Sequence, residues 1–313
     1  MSEKKQSRLE PQSRDWYADL PLRDAPLDPN DRNDQPKLYI DALRVDDEVL
    51  ELSREVTFGR GLMLPMGIFG ICGVIFFVQL FAPSAVEIFA EYLLGGVAFL
   101  IAFGILSVMS IFYIKKSICT PRNTPVRFIR KTRKVQMLEY KTTYNPFAKW
   151  KVEFKEWSWD SVYAELTKSA GFNGKFYFEQ YGLWLVECEP GSTRVKDQIV
   201  LVPDSKLPIH EHISWAYIRQ FMERGRQEGS VEKFYPGSAA FINCVLYFYP
   251  YLDPTEIGRR RRAEMNFISW VLFLVVGILM FWLLIPMGVF DYIALKLAPK
   301  AKWPEEAERA LAG

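Results

Sequence analysis

The chain is poor in the residues on which most catalytic and metal sites depend. Its 313 residues include two histidines and four cysteines, and no two cysteines form a CxxC pair. Neither a GxSxG nor an HExxH motif is present. These absences argue against a serine hydrolase, a redox dithiol and a zinc site, so we expect no enzymatic activity, no cofactor and no bound metal.

The two histidines flank an acidic residue, in the triplet His210, Glu211, His212. Such a triplet could contribute to a zinc site, but no cysteine or acid follows at ligand spacing. We interpret these residues as the polar entry of a helix.

A charge excess is also lacking, because 39 lysines and arginines nearly balance 37 acids and leave a net charge of +2. Such a chain has no overall field that would attract nucleic acid. Its aromatic residues alternate along predicted strands, which favours core packing over base stacking. We therefore expect no nucleic-acid partner.

Charged residues are absent from two long apolar runs, at residues 62–82 and 92–114. Each run has about the 20 residues that a helix needs to cross a bilayer. We predict a transmembrane hairpin over residues 62–114. Ala98 and Ala102 are spaced for close helix packing, which favours contacts within the hairpin and leaves a homo-oligomer open.

Charges beside the apolar runs predict the topology. The connection between the first two runs carries Glu87 and Glu91, whereas Lys115 and Lys116 follow the second run. The positive-inside rule places the connection outside and both flanks in the cytoplasm. No ionisable residue lies within the predicted spans, which disfavours a transporter or channel.

A third apolar run, residues 265–290, follows a block of four arginines at positions 259–262. The block predicts that this span starts in the cytoplasm, so residues 291–313 would form a tail on the far side.

The remaining sequence predicts a cytoplasmic β module. Residues 1–37 are mixed in charge and proline-rich, which indicates an irregular arm, although Trp16, Tyr17 and Leu20 leave a docking patch open. Residues 38–61 alternate as one or two strands that pack on the module.

Residues 115–262 contain seven short strand-like segments and then an amphipathic helix, residues 211–224, stopped by Gly225. The strands are predicted at 126–130, 135–140, 150–157, 161–167, 175–181, 183–189 and 198–203. This order is typical of a pleckstrin-homology-like (PH-like) fold. We predict an α+β membrane protein with three transmembrane helices and an antiparallel β module closed by one helix.

Basic residues beside the spans predict a surface that contacts anionic lipid of the inner leaflet. We expect general seating on the membrane more than recognition of one lipid. The predicted set is Lys115, Lys116, Arg127, Arg130, Lys131, Arg133, Lys134, Arg259, Arg260, Arg261 and Arg262.

Four stretches resemble an uncharacterised bacterial membrane-protein family, domain of unknown function 6708. They are RVDDEVLELSREVTFGRG, PVRFIRKTRKVQMLEY, WSWDSV and WAYIRQFME, and they cover most of residues 45–224. The resemblance brings no catalytic positions. It implies a bacterial inner-membrane location, with genes often near type VI secretion effectors.

Two hypotheses follow from these observations. The first is a non-enzymatic inner-membrane protein, cytoplasmic at its N-terminus and periplasmic at its C-terminus, that binds a protein partner as an immunity protein against a type VI effector. The alternative is a membrane-anchored adaptor or lipid-sensing module for a secretion system.

Overall fold

Three long apolar helices and two antiparallel sheets make up this computed structural model. It describes residues 6–28, 30–31, 34, 36–40, 42–54, 58–81, 83, 93–141, 143, 145, 147–172, 177–205, 207–226, 240–252, 254, 256–263 and 265–312. Glu87, Glu91 and the tip of the hairpin between residues 172 and 177 lie outside these ranges. The class is α+β, with three helices long and apolar enough to cross a membrane.

The first sheet has five strands in the order β2-β3-β4-β5-β6, all antiparallel to their neighbours. The strands are β2 (Ala42–Val45), β3 (Val49–Ser53), β4 (Pro125–Ile129), β5 (Lys134–Lys141) and β6 (Lys151–Ser158). Between β3 and β4 the chain leaves the sheet to form two of the long helices. Ser53 nevertheless pairs with Pro125, so both ends of that excursion are held by the same pair of strands.

The second sheet has four strands, in the order β1-β7-β8-β9. They are β1 (Trp16–Asp19), β7 (Val162–Phe172), β8 (Tyr177–Cys188) and β9 (Val195–Ser205). The predicted break at Gly182 is wrong, since β8 runs straight through it. A Cβ atom at Gly182 would lie 2.8 Å from the Thr167 hydroxyl, so the glycine permits close approach of β7 rather than a turn.

Tryptophans fill the space between the sheets and the helix α3 (Pro208–Arg224). Trp159 and Trp215 are fully buried with ring centroids 5.5 Å apart, and Phe128 meets Trp159 edge to face at 6.1 Å. The helix ends where the sequence indicates, because Gly225 adopts φ +82° and its N–H donates to the Phe221 carbonyl.

The N-terminal arm is more ordered than composition predicts. Trp16 lies in β1, which pairs with β7, and Leu20 is buried in the core. Farther along, the indole N–H of Trp215 donates to the Pro21 carbonyl at 2.8 Å, and Arg219 donates to the carbonyls of two further arm residues. The arm therefore covers the outer face of α3. Of the residues proposed as a docking patch, Leu20 is buried and Trp16 half-buried, whereas Tyr17 is 44 % exposed.

The long helices are α1 (Phe58–Phe81), α2 (Leu93–Cys119) and α6 (Phe267–Leu297). The buried Arg60 joins α1 to the end of α2, where its guanidinium donates to the carbonyls of Thr120 and Pro121 at 2.9 and 2.7 Å. These acceptors lie just beyond the last turn of α2, where a cation is favourable.

A segment of three short helices runs along α6. It comprises α4 (Phe241–Phe248), a one-turn 3-10 helix (Pro250–Leu252) and α5 (Glu256–Ala263). Phe241 meets Tyr292 at 5.5 Å, whereas Tyr251 meets Phe273 at 5.1 Å. As the chain advances from α4 to α5, its contacts therefore descend α6 from its C-terminal end toward its N-terminal end.

The C-terminal tail contacts the β module. The backbone N–H of Arg122, just after α2, donates to the Pro299 carbonyl at 2.9 Å. The Arg122 guanidinium donates to the carbonyls of Lys296 and Ala298. The helix α7 (Glu305–Ala312) follows. Residues 291–313 were predicted on the side of the membrane opposite the module, whereas in the structure their described part lies against the module.

The third long helix also exceeds its predicted limit of residue 290, and so contains Asp291, which is 1 % exposed. A Cβ atom at Gly61 would lie 3.1 Å from the Asp291 Cβ, which shows how closely α1 and α6 approach there. Asp291 is six residues from the end of α6, about 9 Å along its axis. It belongs to the module end of the helices rather than to their middle.

Candidate functional site

A cleft of about 990 Å³ lies where the end of α2 meets the β module and the tail. Its wall is mostly apolar, and its basic residues come from three separate parts of the chain. The lining residues are Ile111, Ile114, Lys115, Ile118, Cys119, Pro121, Tyr140, Phe147, Ala148, Lys149, Trp150, Val152, Pro299, Lys300 and Lys302.

Lys115 and Trp150 form the inner part of the cleft. The Lys115 ammonium donates to the Ala148 carbonyl and lies 5.3 Å from the centroid of the Trp150 ring. The indole Nε1 of Trp150 is buried, and among the described residues no acceptor lies within hydrogen-bonding distance of it. A buried donor without an acceptor is costly, which makes it a candidate contact for a ligand oxygen.

Three exposed lysines surround the mouth: Lys149, Lys300 and Lys302. No acid is found among the described residues that line the cleft. The hydrogen bonds from Arg122 to the carbonyls before residue 300 hold two of these lysines beside α2. The mouth is therefore strongly cationic.

Arg127, predicted to face lipid, is buried instead. It is 3 % exposed and forms ion pairs with Glu51 at 3.0 Å and Glu308 at 3.3 Å. The Trp303 ring lies 4.2 Å from its guanidinium. This side chain fastens the tail to the first sheet and is inaccessible to a membrane surface.

The other predicted residues of the β4-β5 hairpin lie at its turn, at the end of the strands away from the long helices. Tyr140, at the opposite end of β5, lines the cleft beside α2. Arg130 donates to the Asp47 carbonyl, Arg133 pairs with Asp160 and Glu223, and Lys134 pairs with Glu156, while Lys131 is exposed. The structure does not bring these four residues together with Lys115.

The arginine block at 259–262 lies at the far end of the helices. It belongs to α5, and Arg262 donates to the Tyr251 carbonyl at 2.8 Å. The 31 residues of α6 separate it from the cleft by about 45 Å. The side chains of Arg260 and Arg261 lie outside the described residues, and Lys116, at the end of α2, does not line the cleft.

The lysines of the mouth were missed by the sequence reasoning, although a signal was present. The tripeptide Ala-Lys-Trp occurs twice, at 148–150 and 301–303. Neighbouring lysine and tryptophan side chains are typical of the membrane interface. In the structure both tryptophans stack on cations, Trp150 on Lys115 and Trp303 on Arg127.

The histidine triplet lies at the start of α3, away from the cleft. Burial raises the pKa of Glu211 to about 7, although a hydrogen bond from Ser205 opposes the shift. Burial also lowers the pKa of His212, against the attraction of Asp31 and Asp34. His210 stacks on Tyr39 at 4.2 Å. No group of three or more potential metal-ligating residues occurs within the described ranges.

Comparison with known proteins identifies a family for the chain but no characterised relative. No curated protein and no solved structure matches the chain. The model of a family of unknown function, DUF6708, matches residues 103–312, which include the larger part of α2, all of α6 and most of the β module. Because this match covers more than half of the sequence, the chain belongs to the DUF6708 family.

Proposed function

We propose that the chain is a non-enzymatic protein of the bacterial inner membrane that holds a β module at the cytoplasmic face for a protein partner. The apolar lengths of α1, α2 and α6 support membrane insertion. The two sheets with α3 packed against them support a PH-like module. The cytoplasmic side is assigned by the basic residues at the module end of the helices.

The proposed topology has both termini on the module side. Helices α1 and α2 cross outward and back, the segment from α4 to α5 crosses outward along α6, and α6 returns. The basis for this path is that Phe241 and Arg122 both contact the C-terminal end of α6.

Exposed aromatic side chains give the module a candidate partner surface. At the adjoining ends of β7 and β8, Phe172, Tyr177 and Phe178 are 68 %, 63 % and 44 % exposed. Large exposed aromatics concentrate in the centres of protein interfaces. This cluster is the observation that carries the proposal of a protein partner.

The partner that we propose is a type VI effector, for which the chain would act as an immunity protein. This step rests on the family resemblance. The test is co-expression with an effector gene that adjoins this gene, scored by survival. We expect the intact protein to protect, and the double substitution Phe172→Ser, Tyr177→Ser to lose protection.

Leu207→Ser is the matched control, because Leu207 is also exposed, at 51 %, but lies outside the cluster. It should protect like the intact protein. Death of cells that make the intact protein would rule out the immunity role.

A further inference from the structure

The cleft at the end of α2 has two kinds of lining. One wall is formed by Ile111, Ile114 and Ile118, which recur at helical spacing on one face. They extend over about 10 Å of the helix axis. If α2 spans the bilayer, this face lies at the depth where acyl chains join their headgroups.

The opposite part of the lining is cationic. Lys149, Lys300 and Lys302 are exposed at the mouth, and Lys115 lies deeper, over the Trp150 ring. No acid balances them among the described lining residues. Their charge complements a phosphate, and the buried Trp150 N–H has no acceptor among the described residues.

We propose that the cleft binds one anionic phospholipid from the leaflet on the module side. Its acyl chain would lie along the three isoleucines and its phosphate among the lysines, where the Trp150 N–H would donate to a phosphate or ester oxygen. The inference rests on the proposed membrane insertion. A soluble phosphate would match the lysines but leave the apolar wall uncovered.

The site has consequences for how the molecule is held together. Its lining combines α2, the segment before β6 and the tail after α6, which are far apart in sequence. A lipid bound there would contact all three at once. It would therefore stabilise the module in its position on the helices.

The test uses the purified full-length protein in detergent, with bound lipid counted by native mass spectrometry. Phosphatidylglycerol and phosphatidylcholine, with identical chains, are the two probes. We expect one retained phosphatidylglycerol and weaker retention of phosphatidylcholine. The triple substitution Lys149→Gln, Lys300→Gln, Lys302→Gln should weaken phosphatidylglycerol binding by about tenfold or more.

The matched control removes three exposed cations that do not line the cleft and were not predicted to contact lipid: Arg14→Gln, Arg194→Gln, Lys196→Gln. It should bind phosphatidylglycerol like the original chain. A second variant, Trp150→Phe, keeps a ring under Lys115 but removes the N–H, and should bind phosphatidylglycerol several-fold more weakly. Thermal unfolding of each variant establishes that it is folded.

Three results would overturn the site. They are equal binding of the two lipids, equal effects of the two triple substitutions, and displacement of the lipid by glycerol phosphate at equal concentration. Alkaline carbonate extraction of membranes tests insertion separately. A protein that stays in the membrane but shows any of the three results keeps its proposed location and loses the lipid site.

Discussion

The β module buries a few charged side chains, and the free-energy cost of burial differs from one to the next. Arg127 is neutralised by two carboxylates and a tryptophan face. Glu211 is 3 % exposed and has a buried oxygen, Oε2, with no partner among the described residues. A carboxylate in that position is destabilised relative to its neutral form.

Glu211 should make the stability of the module depend on pH. Its pKa is about 7 in the folded chain and 4.5 ordinarily, so the folded state holds more protons between these values. Stability is then full below about pH 4.5 and falls as pH rises toward 7, by up to about 3 kcal/mol. The Glu211→Gln variant should not lose this stability as the pH rises. Its midpoint of thermal unfolding should therefore exceed that of the original chain at pH 8 but not at pH 5.

Glu189→Gln is the control for this measurement, because the Glu189 side chain is 49 % exposed. It should leave the difference between pH 5 and pH 8 unchanged. If Glu211→Gln and the original chain lose the same stability over that interval, Glu211 is not the group that titrates.

Two terminal segments of the chain pack over the surface of the module. The N-terminal arm lies over α3, and the tail after α6 lies over the first sheet. A buried arginine of the module contributes to each attachment, Arg219 for the arm and Arg127 for the tail. Removing either guanidinium should loosen a whole segment.

Arg219→Met should release the arm. Arg219 is 2 % exposed, donates to the carbonyls of Leu22 and Ala25, and pairs with Asp34 at 2.7 Å. Methionine keeps most of the packing volume but leaves these acceptors without their donor, at a cost of about 2–4 kcal/mol. Hydrogen exchange in the arm should accelerate, whereas Arg224→Met, at the exposed end of α3, should leave it unchanged.

Trp303→Ala should release the tail. It removes the ring on Arg127, an edge contact with Phe154 and the hydrogen bond from the indole to Glu51. We expect a loss of about 2–3 kcal/mol and earlier proteolysis of α7, with Trp303→Phe intermediate. Trp282→Ala is the control, because Trp282 is 64 % exposed on α6; an equal loss there would contradict a specific role for Trp303.

Local pattern sufficed to predict most elements but not how they meet. Alternation and turn residues located β4 to β9 within a few residues, and apolar length located the three long helices. The partners of Arg127 lie 76 and 181 residues away, a separation that no local pattern reports. For the same reason the cleft, built from three distant segments, could not be predicted from the clustering of basic residues alone.

The arginine block and the contacts of the long helices indicate opposite orientations for α6. The positive-inside rule applied to residues 259–262 puts the start of α6 on the module side. In the structure the start of α6 lies at the other end, because Arg122 holds the C-terminal end of α6 beside the module. The module end has more cations close to the helices: Arg54, Arg60, Lys115, Lys116, Arg122, Lys296, Lys300 and Lys302. By the same rule, this excess supports our proposal that the module end is cytoplasmic.

Single cysteines placed in a cysteine-free background test this topology in whole cells. Ser84→Cys, between α1 and α2, and Glu264→Cys, between α5 and α6, should react with a membrane-impermeant maleimide from outside. Glu306→Cys, in α7, should react only after the cells are opened, because Arg122 and Arg127 hold the tail against the module, which we propose is cytoplasmic. If Glu306→Cys is labelled in intact cells and Glu264→Cys is not, the tail lies outside the cell membrane. The contacts of Arg122 and Arg127 with the tail would then have to break in the membrane. Ser84→Cys reports on the hairpin in either case, so its reaction from outside shows that the probe reaches the protein.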